Sequence, residues 1–376
     1  MSSSKPPFRA DHVGSLLRPE KLLTARDRHQ KGEIDAAALR EVEDDAILEA
    51  VKLQQDLGLQ GITDGEYRRT WWHQDFLEQI DGVEVGESKF TASFKRDDGV
   101  DVSFTPQTMR VAGKLKRSRG IQIEDFKYLA SVVAGEVGGG VAKVCIPSPT
   151  MLHFRGGRDA IDLGAYPDLD GFYVDLAGVY NEEILGLAGL GCKYLQIDDT
   201  NFAYLCDERI RAATSGRGED LDALPLTYSR LINESIKGRP DDMAVCVHMC
   251  RGNFRSAWVA EGGYDPVAEI LFNEIDIDGF FMEYDDARSG DFSPLRFLPK
   301  GKTVILGIVT SKTPELESKD ALMQRIEEAA KFAPLDQLAI SPQCGFSSTV
   351  HGNDVTVDDQ FAKLQLVVDV AKEVWG

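Results

Sequence analysis

The stretch MAVCVHMCRGN, Met243–Asn253, decides how the rest of the chain is read. Ala244–Met249 is a mostly apolar run, and it stops at Cys250, Arg251 and Gly252. A short run with apolar residues on both faces is the mark of a strand buried on both sides, as in a parallel sheet sheathed by helices. Along a strand, residues i and i+2 face the same way, so Cys246, His248 and Cys250 share one face. Cys246 lies two residues down from His248, roughly 6–7 Å deeper along the strand, and is expected in the core. His248 and Cys250 sit at the polar end. The pair is either two metal ligands or two side chains buried by packing, and the H-x-C spacing alone leaves both open.

The same cadence recurs in LQGITDGEYRR (59–69), VAKVCIPSPT (141–150), CKYLQIDDTN (192–201), IDGFFMEYDD (277–286), KTVILGIVTS (302–311) and QLAISPQCGF (337–346). Each is a short apolar run that ends in polar residues, and helix-like segments separate them. Over 35–57 the residues Leu39, Val42, Ala46, Ala50, Leu53 and Leu57 recur at steps of three and four, with Gly58 placed to end a helix; another helix is expected near 170–188. Seven strand-like runs, with ADHVGSLLRP (10–19) as an eighth, predict an α/β fold, a (β/α)₈ TIM barrel. No G-x-G-x-x-G follows the first run, which disfavours a doubly wound dinucleotide fold. Residues 81–120 break the cadence. SFKRDDGVDVSF (93–104) predicts a β-hairpin, so 81–120 is expected to be an insertion within a single catalytic domain, 1–376.

The 376 residues carry a formal net charge of −20, which disfavours nucleic acid and anionic membrane surfaces as partners. With no apolar run of 18 residues and no apolar signal core at the start, a cytoplasmic protein is expected. The six cysteines, Cys145, Cys192, Cys206, Cys246, Cys250 and Cys344, are scattered through the chain. They read as thiols or metal ligands, not as a disulfide framework.

In a barrel of this kind the active site forms where the C-terminal strand ends meet. The polar residues at those ends are Ser15, Glu66, Asp198, His248, Cys250, Glu283 and Cys344. Four of them, His248, Cys250, Glu283 and Cys344, are of zinc-ligand type. Milder readings also stand: Gly14 as a turn, Asp198 or Asp199 as a helix cap, Glu66 as a partner of Arg68 or Arg69.

Seven motifs occur in a set order: HVGS (12–15), DGEYRR (64–69), PSPTMLHF (147–154), YLQIDD (194–199), HMC (248–250), FFMEYDD (280–286) and SPQCG (341–345). On these the chain resembles, over nearly its whole length, the zinc-dependent, cobalamin-independent methionine synthase family, matching the catalytic barrel of its long members and short stand-alone relatives. The resemblance implies Zn²⁺ as cofactor, held by His248, Cys250, Glu283 and Cys344. It implies a homocysteine-like thiol and a methyl donor as substrates. It assigns Gly14 and Ser15 to the substrate carboxylate, and Glu66 and Asp198 to its ammonium group. The chemistry implied is thiol activation: a free thiol with a pKa near ~8.5 is mostly protonated at neutral pH, whereas a zinc-bound thiol is deprotonated.

Two departures from the family pattern stand out. The extra N-terminal barrel of the long enzymes, which helps hold a polyglutamylated folate, is expected to be lacking. Phe154 stands where an aromatic residue helps hold the pterin, either stacking or filling core. The family's proton-donating histidine is replaced by Lys312, the catalytic candidate at that place, although a lysine of pKa near ~10.4 is a weak acid at neutral pH. His12, His73 and His153 are the alternative acids. The competing functions are thiol alkylation of the epoxyalkane:coenzyme M transferase type and a zinc-binding partner protein without turnover.

Overall fold

The computed structural model describes residues 5–87, 92–96, 99, 101–105, 107–135 and 139–376. Seven of its strands form one curled sheet in the order β1 (Gly61–Ile62), β6 (Val141–Pro147), β7 (Tyr194–Asp199), β8 (Ala244–Met249), β11 (Gly279–Glu283), β12 (Thr303–Val309) and β13 (Leu338–Pro342). Every neighbouring pair is parallel. These are the seven runs that the cadence marks out.

The two sides of the sheet are unequal. Outward residues such as Leu195, Ile197, Val245, Val247, Phe280, Met282, Val304 and Leu306 join the helices in the large core. Helix Ala36–Leu57 packs in a second cluster with Ile62 and the helix Val357–Trp375. Its ends follow the local chemistry: the Asp35 side chain accepts from Ala38 N–H at the start, and Gly58 adopts φ 85° at the end. Helix Leu169–Gly189 covers the segment expected near 170–188. The inner side holds a small cluster, Phe8, Val13, Tyr194, Cys246, Phe281, Ile305 and Ala339. Cys246 is therefore core, as its depth along β8 predicts.

The eighth run behaves differently. ADHVGSLLRP forms no strand, only a single parallel bridge from Ala10 to Ile340. The reason lies in what its residues bond. Asp11 and Val13 serve the sheet interior: Val13 joins the inner cluster, and its carbonyl accepts from Gln196 Nε2 at 2.6 Å. Gly14 then turns to φ 133°, outside any strand geometry. On its far side the segment meets the chain after β1, through Leu16 N–H to Gly65 O (3.0 Å) and Thr63 Oγ1 to Gly14 O (2.7 Å).

Within 81–120, β2 (Asp81–Glu87) pairs antiparallel with β5 (Gln107–Lys116), and β3 (Ala92–Phe94) with β4 (Val102–Phe104). Asp97, Asp98 and Val100 of the expected hairpin lie outside the described residues. Lys95 is bridged to Trp258, in the small pair β9 (Asn253–Phe254) and β10 (Ala257–Trp258). This ties the ribbon to the loop that leaves Cys250. No helix among the described residues is long and apolar enough to cross a membrane.

Candidate active site

Sheet register brings the site together. Asp198 of β7 and His248 of β8 are cross-strand partners, so their inward side chains meet, and His248 Nδ1 donates to Asp198 Oδ1 at 3.1 Å. Because a carboxylate only accepts, Nδ1 carries the proton of this bond, and in the neutral imidazole that a metal would bind Nε2 is the lone-pair nitrogen. That Nε2 is buried with no hydrogen-bond partner among the described residues. Just past β8, Cys250 N–H donates to Asp199 O at 2.8 Å, which holds the Cys250 backbone in line with the sheet. Cys344 follows β13, and the two sulfurs lie 3.5 Å apart. One ring nitrogen of His248 and both sulfurs fall within 4.8 Å of one another.

The electrostatics follow from this crowding. A hydrogen bond from Cys250 holds the Cys344 thiol well below its usual range against the cost of burial, with His248 adding to the effect. Cys250 is correspondingly pushed up, by Cys344 first and then by burial. Burial would depress His248, but Asp198 and Cys344 outweigh it and raise it to about 10. Two soft sulfurs and an oriented imidazole with an unpartnered nitrogen fit a zinc ion.

Glu283 ends β11 but is not drawn into that trio. Its Oε2 accepts from Arg251 N–H at 3.1 Å. Its Oε1 accepts from Arg288 Nη2 at 2.9 Å and from Lys312 Nζ at 3.2 Å. Lys312 is thereby accounted for. Its ammonium also meets Asp285 Oδ2 at 2.7 Å, and it does not line the cleft. Burial opposes its charge, but Asp285 and Glu283 overcome this and raise its pKa. A lysine held this way is an even weaker acid than an exposed one, so its placement gives no support to a donor role.

Beside the trio lies a second cluster: Glu66, Cys145 and Asp198, again within 4.8 Å of one another. Glu66 sits in the left-handed region at φ 58°, unusual for a residue with a side chain. A β-carbon on Gly14 would come within 2.5 Å of Glu66 Oε1 and 2.7 Å of Cys145 Sγ, so only glycine lets the chain pass so close. Ser15 lines the cleft, with its Oγ accepting from Ser347 N–H at 3.3 Å. Arg69 also enters this pocket, ion-paired with Glu66. The second arginine of DGEYRR thus partners Glu66, one of the milder readings, while its neighbour Arg68 goes to Glu43 and Asp44.

These groups open into a cleft of about 1240 Å³, larger than most small-molecule sites. Trp71, Trp72, Phe94, Met109, Phe154, Tyr204 and Phe254 supply apolar wall. Phe154 is only 5% exposed and meets Tyr204 and Tyr228 at centroid distances of 6.1 and 6.3 Å. Of the three alternative acids, only His73 is on this wall. Its pKa is pushed well below the usual value, by burial first and then by Arg155 and Arg69. His12 and His153 are both lowered to about 4, mainly by burial.

Cys145 and the Asp285–Arg288 pair escaped the reading of strand ends. Cys145 sits in mid-strand, and only the register of β6 against β7, which pairs it with Gln196, shows that it faces Asp198. Asp285 and Arg288 follow Glu283 in the loop, where no periodicity marks them.

Residues 8–373 match the family model described as cobalamin-independent synthase, catalytic domain. The chain is 43% identical over 375 residues to the uncharacterized protein YxjH of Bacillus subtilis (strain 168), covering 99% of this chain and 96% of the relative. It is 24% identical to a methionine synthase of Pyrococcus abyssi over 89% of this chain and 84% of that protein. A crystal structure from Listeria monocytogenes, provisionally described as a vitamin-B12 independent methionine synthase, superposes with a TM-score of 0.78 at 38% identity, covering 100% of both chains. The chain belongs to the cobalamin-independent synthase catalytic-domain family.

Proposed function

We propose that the protein is a zinc-dependent thiol methyltransferase that methylates homocysteine to methionine. The observation that carries this is the trio of His248, Cys250 and Cys344 opening beside a pocket of two carboxylates at the foot of a large apolar cleft. Family membership makes the chain a homocysteine methyltransferase-like enzyme. Bound at the trio, zinc would keep the substrate sulfur as a thiolate at neutral pH. The chain's own residues do the rest. Glu66 and Asp198 provide the negative charge that recognises an ammonium group. Gly14 keeps that pocket free of a side chain, and Ser15 offers a hydroxyl on the cleft wall. Asp198 has a second duty, because it also orients His248. We further read residues 10–19 as the eighth stave of a (β/α)₈ barrel, residues 1–376 as one domain, and 81–120 as an insertion over one face.

Asp198→Asn therefore has two expected effects. Binding of homocysteine weakens, and zinc affinity falls about 10–100-fold, the usual cost of altering the carboxylate that supports a ligand histidine. Chelator competition on the purified variant checks the second effect, and an unchanged zinc affinity would remove Asp198 from its orienting role.

Arg69 favours one alternative. A cation in the pocket suits an anionic thiol such as 2-mercaptoethanesulfonate, while Glu66 and Asp198 oppose it. The test is to incubate zinc-loaded protein with homocysteine and, separately, 5-methyltetrahydrofolate, a methyl sulfonium and a methylcorrinoid, and to measure methionine. The three histidine candidates are all held neutral, and Lys312 is ion-paired. Folate, whose nitrogen must be protonated to leave, is therefore expected to lag by up to the ~10²–10⁴-fold that acid catalysis supplies. No methionine from any donor, with binding of the sulfonate thiol instead, would overturn the proposal.

A further inference from the structure

Arg18 is almost fully buried, at 6% exposed, yet it lines no part of the cleft. We propose that Arg18 is a positioning residue that clamps the loop carrying Glu66 to the loop that follows Cys344. The clamp sets the spacing between the two ends of the pocket that grips the amino-acid head group of homocysteine. This rests on the homocysteine reading above.

The guanidinium divides its donors between the two loops. Nη2 donates to Glu66 O at 2.9 Å and to Arg69 O at 2.7 Å. Nη1 donates to Ser347 Oγ at 2.6 Å, Ser347 O at 3.3 Å and Thr349 O at 3.1 Å. None of these acceptors carries a charge, and none belongs to a metal-ligand candidate. A buried charge is ordinarily paired with an opposite one, because taking it out of water is costly. Burial first, and then Arg69 and Arg26, lower the Arg18 pKa to about 9, so the cation persists at neutral pH. Only a planar fork can reach so many oxygens on two loops at once, which a lysine ammonium on its single nitrogen cannot.

The atoms it holds are the anchors of the pocket. Glu66 lies in the left-handed region at φ 58°, and both of its backbone polar groups are taken, the carbonyl by Arg18 and the N–H by Asp64 Oδ1 at 2.8 Å. Backbone strain of this kind persists only where the surroundings over-determine it. On the other loop, Ser347 N–H meets Ser15 Oγ at 3.3 Å and Phe346 N–H meets Ser15 O at 3.0 Å. Ser15 stands at the carboxylate end of the pocket and Glu66 at the ammonium end. Those two groups share one carbon of homocysteine, so a shift of either anchor spoils both contacts. At the rim the loops are also joined by Val350 N–H to Thr70 O at 2.9 Å and by the Trp71–Thr349 bridge, which should hold the fold together without Arg18.

The experiment compares two thiols by calorimetry on the zinc-loaded, full-length protein: homocysteine, and 2-mercaptoethanol, which has a sulfur but no amino-acid head group. Arg18→Met removes the charge and the fork, and Arg18→Lys removes the fork alone. Both are expected to weaken homocysteine binding by about 10–100-fold, the effect of a misplaced binding group. Affinity for 2-mercaptoethanol, and for zinc by chelator competition, should stay within about twofold, as for sites that are not coupled. Equal weakening of both thiols, or loss of zinc, would show a general loosening and overturn the proposal. So would homocysteine binding that Arg18→Lys leaves intact. A parent protein that binds 2-mercaptoethanol but not homocysteine refutes the homocysteine reading itself, and the clamp loses its purpose. If neither Arg18 variant folds, Ser347→Ala decides. It deletes one hydrogen bond to the cation and should weaken homocysteine alone by roughly tenfold; unchanged binding overturns the proposal.

Discussion

Cys344→Ser protein is expected to emerge from purification with little or no zinc and without methyl transfer. The sulfur it loses is one of only two in the trio, and it sits 3.5 Å from the other. A serine hydroxyl is a poor substitute, because it is not deprotonated at neutral pH and is a harder ligand than a thiolate. Loss of a supporting hydrogen bond at a zinc site costs about 10–100-fold in affinity, and loss of a ligand atom should exceed that. The fold should survive: Cys344 lies in the loop after β13, and the inner cluster of Phe8, Tyr194 and Phe281 does not include it. Elemental analysis of variant and parent, with circular dichroism as the folding control, checks the prediction. Undiminished zinc would show that Cys344 is not a ligand.

Lys143→Met is expected to cost a large part of the protein's stability, and the residue does not line the cleft. Lys143 and Asp11 are completely buried partners, with Nζ 3.1 Å from Asp11 Oδ1. The ammonium also donates to His12 O at 2.5 Å and lies 4.1 Å from the centre of the Phe281 ring. Asp11 in turn accepts from Tyr194 Oη at 2.6 Å and from His12 N–H at 2.8 Å. This network fastens the N-terminal segment to the sheet interior, adding to its single bridge to Ile340 of β13. Methionine fits the space but strands the Asp11 carboxylate, and breaking one side of a buried pair costs about 3–5 kcal/mol. That is a large part of the ~5–15 kcal/mol that holds a typical protein folded. Urea unfolding reads the loss directly, and a change under about 1 kcal/mol would mean that water reaches the pair.

The two variants also mark where the sequence could be read and where it could not. The seven parallel strands were legible because each is buried on both faces and stops in polar residues, as Met243–Asn253 does. Within the trio, the common direction of His248 and Cys250 was legible from their spacing of two, whereas Cys344 entered as a strand-end residue and through the family resemblance. The N-terminal run pairs with the sheet only through one bridge to Ile340 and forms no regular strand. Several of its hydrogen bonds come from side chains, Gln196 and Lys143 among them, which no local pattern reveals. Lys143 interrupts the apolar run VAKVCIP. Its partner is 132 positions away, so only the closed-up sheet explains it. Lys312 and Glu283 were each placed at strand ends, but their mutual attraction is a property of two adjacent strands, β11 and β12, and of the loops that follow them. Periodicity finds strands and faces, and it is silent on which charges will meet across them.

The central claim is that His248, Cys250 and Cys344 hold a zinc ion on which the substrate's sulfur becomes reactive. X-ray absorption at the zinc edge, with and without homocysteine, tests it most directly. The account predicts two sulfur neighbours from Cys250 and Cys344 in the free protein and a third when homocysteine is added. A sulfur count that does not change, in protein shown by calorimetry to have bound homocysteine, would contradict it.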